Sequence, residues 1–317
     1  MIKERNGTER FGSQVAALLG IRDTIRKIYA DYDGYLRPVL KFLFALCCLL
    51  SINLYLGYLP VLNRLPVVLI GALFCSVTPP GTVAFVAAVF ALGHVSEVSL
   101  VSAALLFLLF VLIGGLYLGF RPKGAFLLAL IPLCFLWNIP FVIPVVLGLS
   151  VGVTAIVPSF CAVPVWFLLR FVHEHAEGFQ NSTDLGVLTA EFSTVAGGVF
   201  RDRYLYVMLL CFAVTILAVA VIRRLSVDHA WTIAVFAGIL CEVLIGLVGG
   251  MVAGGGNFLF DLIGIAVSLG LALLYEILFF AVDYRGTERL QFEDDDYYYY
   301  VKAVPKIRPY DEDERME

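Results

Sequence analysis

The chain has 317 residues, of which 61% are hydrophobic and 15% charged, with a mean hydropathy of +0.91 and a formal net charge of −4. Soluble domains sit near half apolar and a quarter charged, so this composition excludes a soluble globular protein, and the continuous apolar runs, which do not alternate, exclude a β-barrel. Basic residues gather in positions 1–41 and acidic ones in 288–317, and neither end has the pattern of a nucleic-acid footprint.

The chain therefore reads as an all-α, polytopic helical membrane protein, with the lipid bilayer as its first partner. Residues 1–37 form a cytosolic amphipathic segment. Within it, Phe11, Val15, Leu18, Ile25, Ile28 and Tyr32 recur at helical spacing, accompanied by Arg22, Arg26 and Lys27. Such a helix lies on an anionic leaflet or packs on the protein's own cytosolic face. The first apolar run starts near Val39, too far along for the core of a cleavable signal peptide. The first span is expected to stay and to direct insertion.

A transmembrane domain follows over 38–283. Full spans are predicted over 39–59, 100–120, 151–172, 204–222, 231–253 and 258–282. Two further apolar segments, 67–95 and 125–149, are interrupted. Val67 to Val77 gives ~16 Å of helix, about half a bilayer, before Thr78-Pro79-Pro80-Gly81 stops it. Asn138, Pro140 and Pro144 interrupt the second segment in the same way. Proline removes an N–H and clashes with the preceding turn.

Two topologies fit. Six spans with two re-entrant hairpins place the Arg121/Lys123 loop in the cytosol. Eight spans, two of them kinked, place it outside. The preference of Lys and Arg for the cytosolic side selects the first, with both termini cytoplasmic in the cell membrane. It carries a condition: irregular backbone at membrane depth survives only where protein or a wet cavity satisfies it. Both turns are therefore expected to be buried or to line a cavity. The two hairpins enter from opposite sides, as in transporters with inverted broken helices. Residues 173–203 are an extracytosolic amphipathic linker in which Leu185, Leu188, Phe192, Val195 and Val199 mark a surface helix.

Charged groups at lipid depth are costly and often functional. Glu242 lies near the middle of its span. Asp261 and Glu276 stand near opposite ends of the last one. Together with Pro79, Pro80, Gly81, Asn138, Pro140 and Pro144, these three acids form the candidate site for a solute, an ion or a proton. Gly238, Gly246, Gly250 and Gly254 flank Glu242 at four-residue steps, which permits close helix packing and turns the acid toward a neighbour.

Seven cysteines (47, 48, 75, 134, 161, 211, 241) fall in apolar runs without a C-x-x-C pair, and no disulfide or metal site is expected. His173-Glu174-His175 puts its imidazoles on different helix faces. Asp228-His229 is placed to cap the next helix, and Asn181-Ser182-Thr183 fits a glycosylation sequon. No nucleophile elbow, Walker loop, HExxH or Rossmann glycine pattern occurs, so neither a cofactor nor an enzymatic activity is expected.

Residues 284–317 form a cytosolic tail. In it Asp294, Asp295 and Asp296 precede Tyr297, Tyr298, Tyr299 and Tyr300. Four aromatic rings in a row favour burial, so the tail is expected to be extended and to dock on a protein partner or on its own cytosolic face. "RRLSVDHAWTIA" and "DYRGTERLQFEDDDYYYYVKAVPKI" resemble motifs of a family of uncharacterised multi-pass membrane proteins from Gram-positive bacteria. The resemblance implies a membrane protein, and no functional residues carry over. Two functions remain open: a transporter or permease acting near the two broken hairpins and Glu242, and a non-catalytic scaffold of a cell-envelope complex. An oligomer is compatible with either.

Overall fold

A computed structural model of the protein describes residues 20–25, 27–120, 124–179, 185–254, 257–280 and 288–303. It is mostly helical, as the composition requires. Residues 20–25 and 27–31 are helical, and Ile21, Ile25, Ile28 and Tyr32 are exposed rather than packed on other parts of the chain. The rest of the 11–32 stripe, Arg121, Lys123 and the Asn181 sequon lie outside the described residues.

The long elements are α1 (Asp33–Tyr55), α4 (Leu100–Phe120), α7 (Ile156–Glu174), α9 (Arg203–Ile222), α10 (Ala230–Ala253) and α11 (Phe258–Phe280). Among the described residues, five helices are long and apolar enough to cross a membrane: α1, α7 with its preceding turn, α9, α10 and α11. The sequence predicts six. The difference is α4, whose described apolar stretch, Leu100–Leu116, falls just short.

The first broken segment is α2 (Leu65–Val77) and α3 (Thr82–Val98). Pro66 starts α2, where a missing N–H costs nothing. Thr78 ends it in an extended conformation (φ −96°, ψ 169°), the region into which a following proline drives a residue. α2 runs antiparallel to α1: Asn53 Nδ2 donates to the Leu62 carbonyl (2.6 Å), a Cβ on Gly71 would meet Leu49 Cδ1 at 3.1 Å, and Lys41 Nζ donates to the Thr78 carbonyl (2.7 Å). α3 then returns to the Tyr55 end of α1. There His94 is fully buried, its Nδ1 accepting from the Leu59 N–H (3.0 Å) and its Nε2 paired with Asn53 Oδ1 (2.9 Å). A backbone donor at Nδ1 puts the ring proton on Nε2. His94 is thus a structural pin for the 56–64 loop.

This turn is expected to be buried or to line a cavity, and its residues divide on that expectation. Pro79 and Pro80 are exposed, while Gly81 meets Ala125 and lines a cavity. The chemistry of the turn explains how exposure is tolerated. Two prolines bring no N–H, the Thr78 carbonyl takes the Lys41 ammonium, and the Pro79 carbonyl accepts the Thr82 N–H (2.9 Å).

The second broken segment is α5 (Leu127–Leu136) and α6 (Val142–Ser150). Asn138 takes a left-handed conformation (φ 57°) and the Ile139 N–H reaches back to the Cys134 carbonyl (2.9 Å). This is a Schellman cap with asparagine where glycine is usual. Pro140 follows it, buried, and Pro144 sits in the first turn of α6. The segment reverses direction. It begins with Ala125 beside Gly81, near the Lys41 end of α1, and ends with Leu149, whose carbonyl accepts from Arg223 Nη1. Its turn lies beside the middle of α9, with Phe135 stacked on Phe212 at 5.9 Å.

The main core gathers side chains of α3–α7, α9 and α10, including Phe135, Phe141, Trp166, Phe167, Met208 and Phe212. The linker helix α8 (Leu185–Phe200) packs its second half on α7. Val195 and Val199 are buried and Gly198 lies under the Phe171 ring, whereas Phe192 is exposed. Ser99 Oγ donates to Glu191 and ties α8 to the start of α4.

The tail adds a short two-stranded hairpin to the helical body. β1 (Glu288–Glu293) and β2 (Tyr298–Ala303) pair antiparallel, with Leu290 opposite Val301 and Phe292 opposite Tyr299. Asp294 makes the turn. Its Oδ1 accepts the N–H groups of Asp296 (3.0 Å) and Tyr297 (2.6 Å), and its Oδ2 accepts the Tyr299 hydroxyl (2.8 Å). The acidic run therefore folds as a turn signal. Tyr297 to Tyr300 are all exposed, so docking of these rings on the protein's own surface is not seen.

Candidate functional site: a seam of carboxyl groups

Glu242 is the residue around which a site is built. It opens a π-helical stretch, Glu242–Val248, within α10. The winding follows from packing. In an α-helix, residues four apart drift by about 40° around the axis, because a turn holds ~3.6 residues. Three such steps would carry Gly250 well off the face of Gly238. The wider π turn reverses the drift. As a result Gly238, Gly246 and Gly250 all face α9. A Cβ on Gly238 would meet Val219 Cγ2 at 2.6 Å, one on Gly246 Cys211 Sγ at 3.2 Å, and one on Gly250 the Tyr204 ring at 3.0 Å. Gly254 (φ 74°) ends the helix in the left-handed region.

Glu242 faces inward, as the stripe predicts, with 0% exposure. Neither carboxylate oxygen has a hydrogen-bond partner among the described residues. Ser268 of α11 stands beside it, but its hydroxyl proton goes to the Phe141 carbonyl at 2.9 Å. One turn back, Thr215 Oγ1 is buried and unpartnered too, beside the Cys211 thiol without reaching hydrogen-bond geometry. A bare charge in such a place is costly; the site calls for a proton or a cation.

The second broken segment meets this place. Phe141, fully buried, presses its ring where Cβ atoms on Gly246 and Gly264 would lie, at 2.4 and 3.3 Å. Its carbonyl takes the Ser268 hydroxyl. Of the proline-turn candidates, Pro140 is buried next to Phe141, Pro144 is buried in α6, and Asn138 is exposed and acts as the cap of α5. Pro79, Pro80 and Gly81 lie at the other broken segment, beside Lys41 and Ala125.

The three acids do not share one cluster. They form a line along the seam between α10 and α11. Glu276 accepts the Thr232 hydroxyl near one end. Glu242 lies beside Ser268 in the middle. At the other end Asp261 faces the Tyr204 hydroxyl, its Oδ2 3.9 Å from a Cβ on Gly250. Positions 261, 268 and 276 on α11 imply ~10 and ~12 Å of rise between successive carboxyl levels. A hydroxyl accompanies each acid: Tyr204, Ser268 and Thr232.

Sequence reasoning missed Tyr204, Phe141, Thr215 and Thr232, and placed Ser268 between Asp261 and Glu276 without giving it a role. A seven- and eight-residue spacing along α11 puts Ser268 between Asp261 and Glu276, but only the partner helices show what each meets. The two imidazoles of the His-Glu-His run part company. His173 stacks on Tyr55 at 4.3 Å and pairs with the Tyr58 hydroxyl, while His175 stacks on Phe171 at 4.2 Å. His229 occupies the cap position of α10 (φ 59°) without a side-chain cap bond of its own. Among the described residues no group of three His, Cys, Asp or Glu is placed to hold a metal.

No protein-family profile, curated protein or solved structure matches the chain.

Proposed function

We propose that this integral membrane protein is of the transporter or permease type and moves a proton or a small cation along the α10–α11 seam through Glu242. The observation that carries the reading is the fully buried Glu242 carboxyl, without a hydrogen-bond partner among the described residues and set in a π-helical stretch against the turn of a broken helix pair. π-Turns recur at functional sites, and an intramembrane acid facing the bundle interior marks an ion or proton pathway. Asp261 and Glu276 give the line an acid near each end.

The topology we propose has six crossings and two re-entrant hairpins in the cell membrane, with both termini cytoplasmic. It is supported by the α5–α6 pair, which starts and ends near the same end of the bundle and turns beside mid-α9. The scaffold reading keeps one supporting observation, the exposed apolar face of the tail hairpin formed by Leu290, Phe292, Tyr299 and Val301.

The test uses the full chain in liposomes loaded with a pH-sensitive dye, under an imposed potential and with Na⁺ or K⁺ gradients. Flux above protein-free liposomes is expected, abolished by Glu242→Gln and slowed by Asp261→Asn or Glu276→Gln. Equal flux from wild type and Glu242→Gln would sink the reading. An infrared carboxyl band missing in Glu242→Gln would identify the group in the folded protein.

A further inference from the structure

A separate feature lies on the far side of the second broken segment. An apolar cavity of ≈ 340 Å³ is enclosed by α1, α3, α4, α5 and α7. The reason for the void is in the sequence. Ala84, Ala87, Ala88 and Ala91 recur at helical spacing on α3 and line it, opposite Ala129 and Ala162. Small side chains on three helices leave space that no neighbour fills. Only the Cys48 thiol among its lining side chains carries a polar atom. Water needs two to four polar partners to stay in a cavity, and these side chains supply a single thiol.

The cavity is not closed off from its surroundings. Phe85 and Gly114, both exposed, stand at its rim. Next to Gly114, α4 turns Phe107, Leu108, Val111 and Leu112 outward. That face is apolar, as a surface in contact with hydrocarbon must be. A second apolar cleft, ≈ 300 Å³, runs between α4 and α7 and shares Ile113 with the first. Voids therefore flank α4 on both sides, in a medium whose solvent is hydrocarbon chains.

We propose that the cavity between α3, α4 and α5 binds one hydrocarbon chain of a bilayer phospholipid, which enters sideways at the Phe85–Gly114 rim. The proposal uses none of the carboxyl line and stands whether or not Glu242 conducts. Its occupant is a chain and not a polar solute, because the walls offer no group to recognise one. It is a lipid chain and not a peptide side chain, because the opening lies on the outward apolar face.

The test reconstitutes the full protein in nanodiscs containing a phospholipid with a diazirine near the end of one acyl chain, followed by irradiation and peptide mapping. Crosslinks are expected to concentrate on peptides of α3, α4 and α5 that line the cavity. Ala84→Leu and Ala88→Leu, which fill it, should each cut that labelling by about tenfold, the change expected if binding weakens by ~1.4 kcal/mol. Val89→Phe, an enlargement on the same helix outside the lining, should leave it unchanged. In the wild-type protein, which has no folding risk, excess phospholipid without the diazirine should compete. Labelling spread evenly over all outward helix faces, or unmoved by both filling variants, would overturn the proposal.

Discussion

Glycines in this protein separate into those that carry packing and those that do not, and substitution distinguishes them. A Cβ on Gly246 would stand 2.4 Å from a ring carbon of Phe141 and 3.2 Å from Cys211 Sγ. Phe141 is itself fully buried and cannot move away freely. Gly246→Ala should therefore destabilise by on the order of 1–3 kcal/mol, the usual cost of overpacking. Gly197, in α8, has nothing within 4 Å of its Cβ position. Gly197→Ala should stabilise by about 0.5–1 kcal/mol, because alanine loses less freedom in a helix. Thermal unfolding of the two variants in detergent checks both signs. At this level the sequence told which residues were unusual but not always why. Glu242 and the glycines at four-residue steps were readable as a pattern, but the face they share depends on the π turn at Glu242–Val248, which residue spacing does not announce. Asn138 read as a polar candidate for solute binding, yet its left-handed backbone makes it a helix cap, and backbone conformation is poorly encoded in residue type.

Helices and turns were readable where composition is extreme, and misread where a local hydrogen bond decides. Pro79-Pro80 stops α2 as expected. The turn then tolerates exposure because Lys41, 37 positions earlier in the chain, satisfies the Thr78 carbonyl. Nothing local in the sequence signals that partnership. The tail shows the converse. Tyrosine and aspartate runs suggested an extended docking strand, whereas Asp294 gathers two N–H groups and one phenol and closes a hairpin. Those bonds, the Tyr299 hydroxyl first, hold the Asp294 pKa below its ordinary value. A group with a lowered folded pKa contributes stability that is present above the unfolded value, near 3.8, and is lost as pH falls through the folded one. Chemical shifts of the Tyr297 and Tyr299 amides in the full chain should therefore report hairpin loss only below about pH 4. Asp294→Ala should remove the hairpin at neutral pH. A hairpin intact in Asp294→Ala would show that strand pairing alone sustains it.

Taken together, the helices make two unequal neighbourhoods divided by α5–α6. One holds a line of acids and hydroxyls between α9, α10 and α11. The other holds an apolar void between α1, α3, α4, α5 and α7. The class of the protein was evident from hydropathy, and the existence of two broken segments from their prolines. The division between a polar seam and an apolar void was not, because it depends on which helices become neighbours. The proposed topology makes one direct prediction. A cysteine at position 123 (Lys123→Cys) should react with a membrane-impermeant maleimide only after the cytosolic face is opened, and modification in intact cells would favour eight crossings.

The wide turn at Glu242–Val248 also bears on how α10 tolerates changes of length. It stores one extra residue per turn relative to the helix on either side. A single-codon deletion there would convert the stretch to ordinary winding and still leave Gly250 on the α9 side, because eleven α-helical steps from Gly238 return to within ~20° of the same face. The wide turn thus accommodates a residue that the interface could do without, and the acid that begins it has no hydrogen-bond partner among the described residues.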